Sequence, residues 1–533
     1  MTDAFKFAQA LDATPAVLPD ADAIVRRWDS LKAERATWES HWQEVLELTL
    51  PGRADVTTRT APGAKRTAHL YDSTAGQAAE ELAAGLQSAM TPRDRPWLSF
   101  RARGLENERS VRDWLLAARD ALLEEFAASN FYAAVHECFL DLVTVGTANL
   151  LTEEKPLTRL GFNGFAFQCV PIAEYVVDED AQGGVDTVLR RFTLTARQAV
   201  QKFGAETLPE MIQSAAREER EQDRAFDFIH AVFPAATARP HAFASLYVAV
   251  EGRRVLRQGG FGELPYHVPR WSKSARERYG RSPAMLALPD IRTLNLIVRY
   301  GLEALPLALY PPWLVKEGTL SGGSLRLTPG AQNYWDGAPD ERPTQMDWRG
   351  QVNVEIAKEQ EFRARIQRAL HADRLRLKDS PQMTATEVIE RRQELARLVG
   401  PTVARLEAEF LTPLVERAFL LMNRAQAFGA PPATLARASR IDIDYASPLA
   451  QAAKLHQLKA LSDWYALNTP AIRANPAVLD VLDLDRIARD SADLLGLPPG
   501  FLRPPAQVMQ LRQARMQANA QQAQRVPETA PDQ

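Results

Sequence analysis

The chain has 533 residues, of which 46% are hydrophobic and 25% charged, the balance of an ordinary globular protein. Length alone predicts about three structural units, at roughly 100–200 residues each, with enough buried surface to need no disulfide or metal staple. Lysine and arginine number 64 against 67 acids, a net charge of −3; a general nucleic-acid binder is basic overall, so any contact with DNA must come from a local feature.

The first 20 residues read as loose. Ile24, Trp28, Leu31, Arg35, Trp38, Trp42 and Val45 then recur at steps of three and four, which predicts one helix face running to about Leu50 and stopped by Pro51-Gly52. Residues 52–68 are polar, basic and rich in turn formers, and read as a mobile loop. Asp72-Ser73-Thr74 offers a cap for a helix whose face is Ala75, Ala78, Ala79, Leu82, Ala83 and Leu86 and which ends at Thr91-Pro92. Two more helices are expected near 110–128 and 131–145, with Gly146 closing the second.

Strand-like segments follow at Phe162–Val170, Tyr175–Asp178, Val185–Leu194, Phe226–Phe233 and Ser245–Val250. Gly183-Gly184 supplies a turn, and Thr195 with Gln198 a capping box. From Ser282 the pattern is helical again through Leu286, Ile291, Leu294, Ile297 and Val298, with a break expected at Pro306 and at Pro311-Pro312-Trp313. A Gly-, Pro- and aromatic-rich stretch leads to a long helix from about Val352 to Leu375, a loop at Asp379–Gln382, and a second capping box at Thr384 and Glu387. Val403, Leu406, Phe410 and Leu414 share one further helix face, with a kink expected at Pro413. After an extended piece at Ile441–Tyr445 the rest reads as helical. Residues 506–525 hold seven Gln and five Ala, and composition leaves open a solvated helix or a tail.

The motifs of catalysis are missing. No P-loop, H-E-x-x-H or G-x-S-x-G occurs, and Gly259-Gly260-Phe261-Gly262 lacks dinucleotide-fingerprint spacing. Asp178-Glu179-Asp180 is a poor calcium loop, because Leu189 stands where the bidentate glutamate belongs. Asp442 and Asp444 share a strand face as a candidate metal pair, although a solvated strand edge is the plainer reading. Cys138 and Cys169 exclude a disulfide framework and an all-cysteine zinc site, and read as two buried thiols in a reducing compartment. No secretory pattern opens at Met1–Ala10, and the apolar stretch Ala304–Val315 is too short and proline-rich to span a bilayer, so a soluble protein is expected.

One charged feature stands out. Between Arg363 and Lys378 lie six basic residues and a single acid, Asp373. At 100° per residue Arg365, Arg368 and Arg376 share a face, beside an apolar face of Phe362, Ile366, Ala369 and Leu370. Either the basic face is solvated and balanced by acids on a neighbour, or it faces phosphates.

The segment Met383–Val388, with Arg391, Glu394, Leu398, Gly400-Pro401, Arg405-Leu406, Glu409, Leu411, Pro413-Leu414 and Arg417, resembles the head-to-tail connector (portal) family of short-tailed bacteriophages. Arg27, Trp28, Leu31, Arg35, Trp38 and Trp42 resemble its opening helix. Tyr71–Thr74, Ala83–Leu86, Met90–Pro92 and Pro96-Trp97 resemble its second block, and Tyr445–Ala450 its late block. The likeness covers roughly residues 24–460, in the family's order.

The resemblance implies an α+β, mainly α-helical portal fold with wing, stem, clip and crown, closing into a homo-oligomeric ring of about twelve subunits. Residues 1–281 would be wing, 282–305 a stem helix, 306–350 the clip, 351–383 the second stem helix and a channel loop, 384–500 wing and crown helices, and 501–533 a Gln/Ala-rich tail. The ring would sit at one capsid vertex of the virion, after assembly in the host cytoplasm. It would pass double-stranded DNA without sequence preference, and meet the terminase large subunit, the major capsid and scaffolding proteins and a tail adaptor. No cofactor, metal, membrane or catalysis is implied. Arg365, Arg368, Arg374, Arg376 and Lys378 would face the DNA channel, and the clip aromatics Trp313, Tyr334, Trp335 and Trp348 would bury against neighbouring subunits or docking partners. The competing readings are a metal-dependent nucleic-acid enzyme built on Asp442 and Asp444, and a non-viral helical scaffold.

Overall fold

The tryptophan-rich periodicity builds two helices, α1 (Ala21–Glu34) and α2 (Ala36–Thr49), where the spacing predicts one. The break is at Arg35, whose backbone leaves the helical region (φ −96°, ψ 6°). Its buried guanidinium donates to the carbonyls of Ile172 at 2.9 Å, Ala173 at 3.2 Å and Tyr175, and to Glu39 Oε1 at 2.8 Å. A buried charge needs acceptors for its donors, and an apolar count does not reveal that the arginine on the stripe has them. This computed structural model describes residues 18–105, 108–155, 162–235, 241–310, 313–317, 338–339, 344–345, 352–372, 400–438, 440–445, 461–470 and 505–523, with isolated positions between 472 and 503. The chain divides into two units, Met1–Ala446 and Ser447–Gln533.

In the first unit the 52–68 segment is pinned, against the expectation of a mobile loop. The Gln43 amide donates to Ala54 O at 2.9 Å and accepts from Val56 N and Thr57 N at 2.9 and 3.0 Å, while Asp55 accepts from Thr60 and Arg66 at 2.6 Å each. Helix α3 (Thr74–Met90) buries all six predicted small-face residues. Its first N–H is capped by Asp72 at 2.8 Å and not by Ser73. A short strand β1 (Leu98–Ala102), not anticipated, precedes α4 (Arg109–Ala128) and α5 (Phe131–Thr144). Cys138 of α5 is fully buried and Cys169 half buried; both are free thiols, and the Cys169 thiol donates to Asp141 at 3.4 Å.

The following region is the expected α+β part. Its strands are β2 (Leu150–Glu154), β3 (Phe165–Cys169), β4 (Tyr175–Glu179) and β5 (Val185–Thr195). Next come the predicted box-capped helix α6 (Ala196–Phe203) and an unpredicted α7 (Glu210–Arg217), then β6 (Ala225–Pro234), β7 (Phe243–Ala249), β8 (Arg254–Phe261) and β9 (Tyr266–His267). Strands β4 to β8 form an antiparallel meander in chain order, and β3-β2-β9 a smaller sheet. The two-residue period sorts the meander's faces. Ile229 and Ala231 meet Ile24, Val25, Trp28 and Leu31 of α1, while Phe226 and Phe228 meet Ala199 of α6 and Ile212 of α7.

The chain then enters α8 (Pro283–Leu309), whose start is held by close backbone contact. Gly146 (φ +80°) and Gly280 pack so tightly that a Cβ on Gly280 would lie 2.2 Å from the Gly146 carbonyl oxygen. Gly280 N donates to Thr147 Oγ1 at 2.8 Å, and Ser282 Oγ donates to Thr144 O at 2.6 Å while capping Met285 N at 2.9 Å. A pair of two-residue strands, β10 (Trp313–Leu314) and β11 (Thr344–Gln345), precedes α9 (Val352–Ala369). A helical run from residue 400 passes through a π-turn at Glu407–Leu411 into α10 (Thr412–Arg424), which places Pro413, where a kink is expected, in the first turn of α10. Strand β12 (Ile441–Tyr445) pairs antiparallel with β1. Helices α2, α3, α5, the first half of α8, the end of α9 and α10 share the main core.

The second unit contains a helical segment at 461–470 and α11 (Pro505–Ala523), which resolves the Gln/Ala-rich segment as a helix with exposed Met509, Leu511 and Met516. Among the described residues no helix is long and apolar enough to cross a membrane.

Two predictions follow from these contacts. Gly280→Ala should lower stability by about 2 kcal/mol or more, since the obstructing atoms are backbone and the overpacking cannot relax through a rotamer; a denaturant midpoint measures it. The second concerns His230 and His267, both buried, whose pKa values burial lowers to about 3 from 6.5. Protons bind the unfolded chain before the folded one, so stability is present above pH 6.5 and is lost as pH falls toward 3. Neither ring nitrogen of His267 has a hydrogen-bond partner among the described residues. His267→Leu should therefore flatten the loss of denaturant midpoint between pH 6.5 and 4.

Candidate functional site

The predicted stem is the pair α8 and α9, which pack against each other. On α9 the expected apolar face is present: Ile366 and Leu370 are fully buried, and Phe362 and Ala369 are partly buried against the main core. The helix is shorter than predicted. It ends at Ala369, and His371 takes a left-handed conformation (φ +55°). The helical count that aligned Arg376 with Arg365 and Arg368 therefore does not run through residue 371.

Arg365 and Arg368 are exposed on the α9 surface. Arg365 pairs with Glu361 at 2.5 Å, lies 3.9 Å from Asp290 of α8 and stacks over the Phe362 ring. Arg368 donates to the Ala364 carbonyl at 3.2 Å and has no carboxylate within ion-pair distance among the described residues. Arg363 is taken up by Asp72 at 3.0 Å and Glu359 at 3.1 Å. Part of the basic run is thus balanced by acids, and Arg368 is the described member that is not. Arg374, Arg376, Lys378, the Asp379–Gln382 loop and the Thr384–Glu387 box lie outside the described residues. Of the aromatics expected in a clip, Trp313 sits in β10 with 36% of its surface exposed; Tyr334, Trp335 and Trp348 also lie outside the described residues.

Helix α8 shows a feature that spacing missed. It does not break at Pro306 but continues to Leu309, with Pro289 and Pro306 inside it. Each of these prolines forfeits the hydrogen bond to the carbonyl four residues back and crowds that carbonyl, yet the helix runs on through both. Ala284, Ala287, Leu288, Ile291 and Leu294 are buried, whereas Leu286, in the same helical run, is exposed. Beyond Val298, which is still partly buried against the main core, the helix leaves the core. Leu296, Tyr300 (58%), Leu302, Leu305 and, just past the end, Tyr310 (79%) are all exposed. Solvated apolar residues in such a run mark a contact surface. The available signal was the width of the apolar surface, more than one core-facing stripe requires, which leaves only a narrow polar stripe at Asn295, Arg299 and Glu303.

Asp442 and Asp444 do share one face of β12, as read, but arginines occupy them. Arg103 and Arg440 reach Asp442 at 3.0 and 3.3 Å, and Arg101 reaches Asp444 at 3.2 Å. Among the described residues no group of three or more metal-ligating side chains is assembled.

The family described as bacteriophage head to tail connecting protein matches residues 21–502. This chain belongs to that family. A probable portal protein of Bordetella phage BPP-1 is 32% identical over 524 residues, covering 94% of this chain and 92% of that protein. The portal protein of Salmonella phage epsilon15 is 27% identical over 524 residues, covering 95% and 93%. A chain from the neck of an empty gene transfer agent particle aligns with 85% of this chain and 100% of its own, at a TM-score of 0.37 and 13% identity.

Proposed function

We propose that this connector subunit is a portal protein, forming a closed ring of about twelve copies at one vertex of the phage capsid. The ring is the channel for genome packaging and ejection and the attachment point for the terminase and the tail. Family membership across residues 21–502 supports the role. The observation that carries the ring is the exposed apolar half of α8, a surface too apolar for a lone solvated subunit. Identical subunits joined head to tail through one heterologous contact close into a ring when the rotation permits. In this reading residues 1–281 are wing, α8 and α9 the stem, the segment between them the clip, and 384–500 return to wing and crown. The chain needs no nucleotide hydrolysis of its own, because the motor is a separate protein.

Replacing Leu296, Tyr300, Leu302 and Leu305 together by serine tests the ring. These side chains are solvated in the subunit, so circular dichroism should be unchanged. In analytical ultracentrifugation the parent should sediment at several hundred kDa and the variant as a monomer. A parent that stays monomeric at every salt concentration defeats the proposal.

Arg368, and with it Arg365, Arg374, Arg376 and Lys378, are proposed to face the DNA. Even one uncompensated arginine per subunit, repeated around a ring, gives a positive collar around a duplex carrying one charge per ~1.7 Å. Such attraction is non-specific and screened by salt, which permits sliding. Changing Arg368, Arg374, Arg376 and Lys378 together to glutamine should leave the ring intact and reduce packaged genome length or retention, measured by gel analysis of DNA from purified particles. Full-length packaging at parental yield would remove these residues from the channel.

A further inference from the structure

Strand β5 is longer than its partner on one side. Strand β4 pairs with it only as far as Tyr175 opposite Arg190, because the chain preceding Tyr175 is a single 3-10 turn at Ile172–Glu174. On the other side β6 continues to pair, from Arg191 opposite Ile229 to Thr195 opposite Ala225. In an antiparallel ladder, successive residues turn their N–H and C=O groups alternately to the two neighbours. Between Arg191 and Thr195, then, alternate residues aim backbone groups at a side where no strand lies among the described residues, although the Thr195 N–H is already taken by Gln198 Oε1 at 3.0 Å. That side is a groove of about 760 Å³. Open strand edges are normally covered, shortened or charged.

The side chains around the groove give the chemistry of what fits. Arg190 is neutralised by Glu174 at 2.9 Å and Arg191 by Asp227 at 2.5 Å. Two lining cations, Arg59 and Lys202, have no carboxylate within ion-pair distance among the described residues. Lys202 lies over the rings of Phe192 at 4.9 Å and Tyr247 at 5.3 Å. It belongs to α6, on one face of the sheet, while Trp28 and Lys32 of α1 line the groove from the other face. An added strand points successive side chains to opposite faces, and it would meet Lys202 on one and, on the other, Lys32, which already pairs with Glu39 at 3.1 Å.

We propose that the Arg191–Thr195 edge of β5 accepts an extended, acidic segment of a partner protein as an additional antiparallel strand. Main-chain hydrogen bonds would supply the register, and Arg59 and Lys202 the preference for acids. The site is distinct from the stem and does not depend on the ring.

The test uses the full chain and a capped, fluorescein-labelled octapeptide with a Thr-Val-Thr-Val centre and two glutamates at each end. Fluorescence anisotropy should show saturable binding, and hydrogen exchange should slow at Arg191–Thr195. Affinity should fall by roughly tenfold or more when lysines replace the glutamates, and likewise in the Arg59→Glu, Lys202→Glu double variant, whose surface positions leave the fold intact. A peptide N-methylated at alternate central residues keeps every charge but cannot complete the ladder, and should not bind. Equal binding of that peptide would reduce the contact to electrostatic adsorption and overturn the proposal. So would unchanged affinity in the double variant. Binding to the unassembled chain that vanishes in the assembled ring would assign the edge to a neighbouring copy, which equally overturns a partner's segment.

Discussion

The first unit is tied together at one buried guanidinium. Arg270 is almost wholly removed from solvent, and two remote stretches of chain converge on it. Glu409, in the π-turn before α10, accepts from its Nε at 3.1 Å and its Nη2 at 3.0 Å, and also from its backbone N–H at 3.1 Å. Glu179, at the end of β4, pairs with it and with Lys273, and the Gly183 carbonyl in the following turn accepts at 3.0 Å. Stripping one partner from a buried pair costs about 3–5 kcal/mol, because a desolvated charge is left behind. The pairing therefore fixes where α10 lies. Once seated, α10 adds a second buried arginine, Arg417, which donates to the carbonyls of Thr152 at 3.2 Å and Glu263 at 3.0 Å and so reaches β2 and the turn before β9.

The helical framework was legible because its signals are local. The small-residue stripe of α3, the glycine at the end of α5, and the box that opens α6 each report on residues within one or two turns. What escaped was set by distant partners. Strand β1 exists because it pairs with β12, more than 300 positions away, and β8, with its Gly259-Gly260 pair, shows no alternation of its own and is held by β7. The split of the first helix at Arg35 has the same origin, since carbonyls of residues 172–175 receive its side chain.

The functional surface was legible in part. The apolar face of α9 followed from spacing, and the resemblance pointed to the family. The exposed run of α8 did not emerge, because apolar residues flanking a polar stripe at Arg292, Asn295, Arg299 and Glu303 read as an ordinary buried face, and only tertiary structure shows that nothing among the described residues covers them. The charge reading divided as well. The carboxylates opposite Arg363 and Arg365 come from Asp72 and Asp290 as well as from α9 itself, and only tertiary structure shows that Arg368 has none among the described residues.

The Gly146–Gly280 contact has a mechanical consequence. Helix α8 has 27 residues, about 40 Å at 1.5 Å per residue, and only its first half is embedded. The remainder is a lever arm of ~22 Å beyond the last fully buried side chain, Leu294. A tilt of about 5° at its base displaces its tip by ~2 Å. Two glycines in backbone contact leave no side chain to swivel or compress, so the pivot has almost no play. Where several such arms converge on a common axis, the calibre of the opening between them is set by that clearance, far from the opening itself.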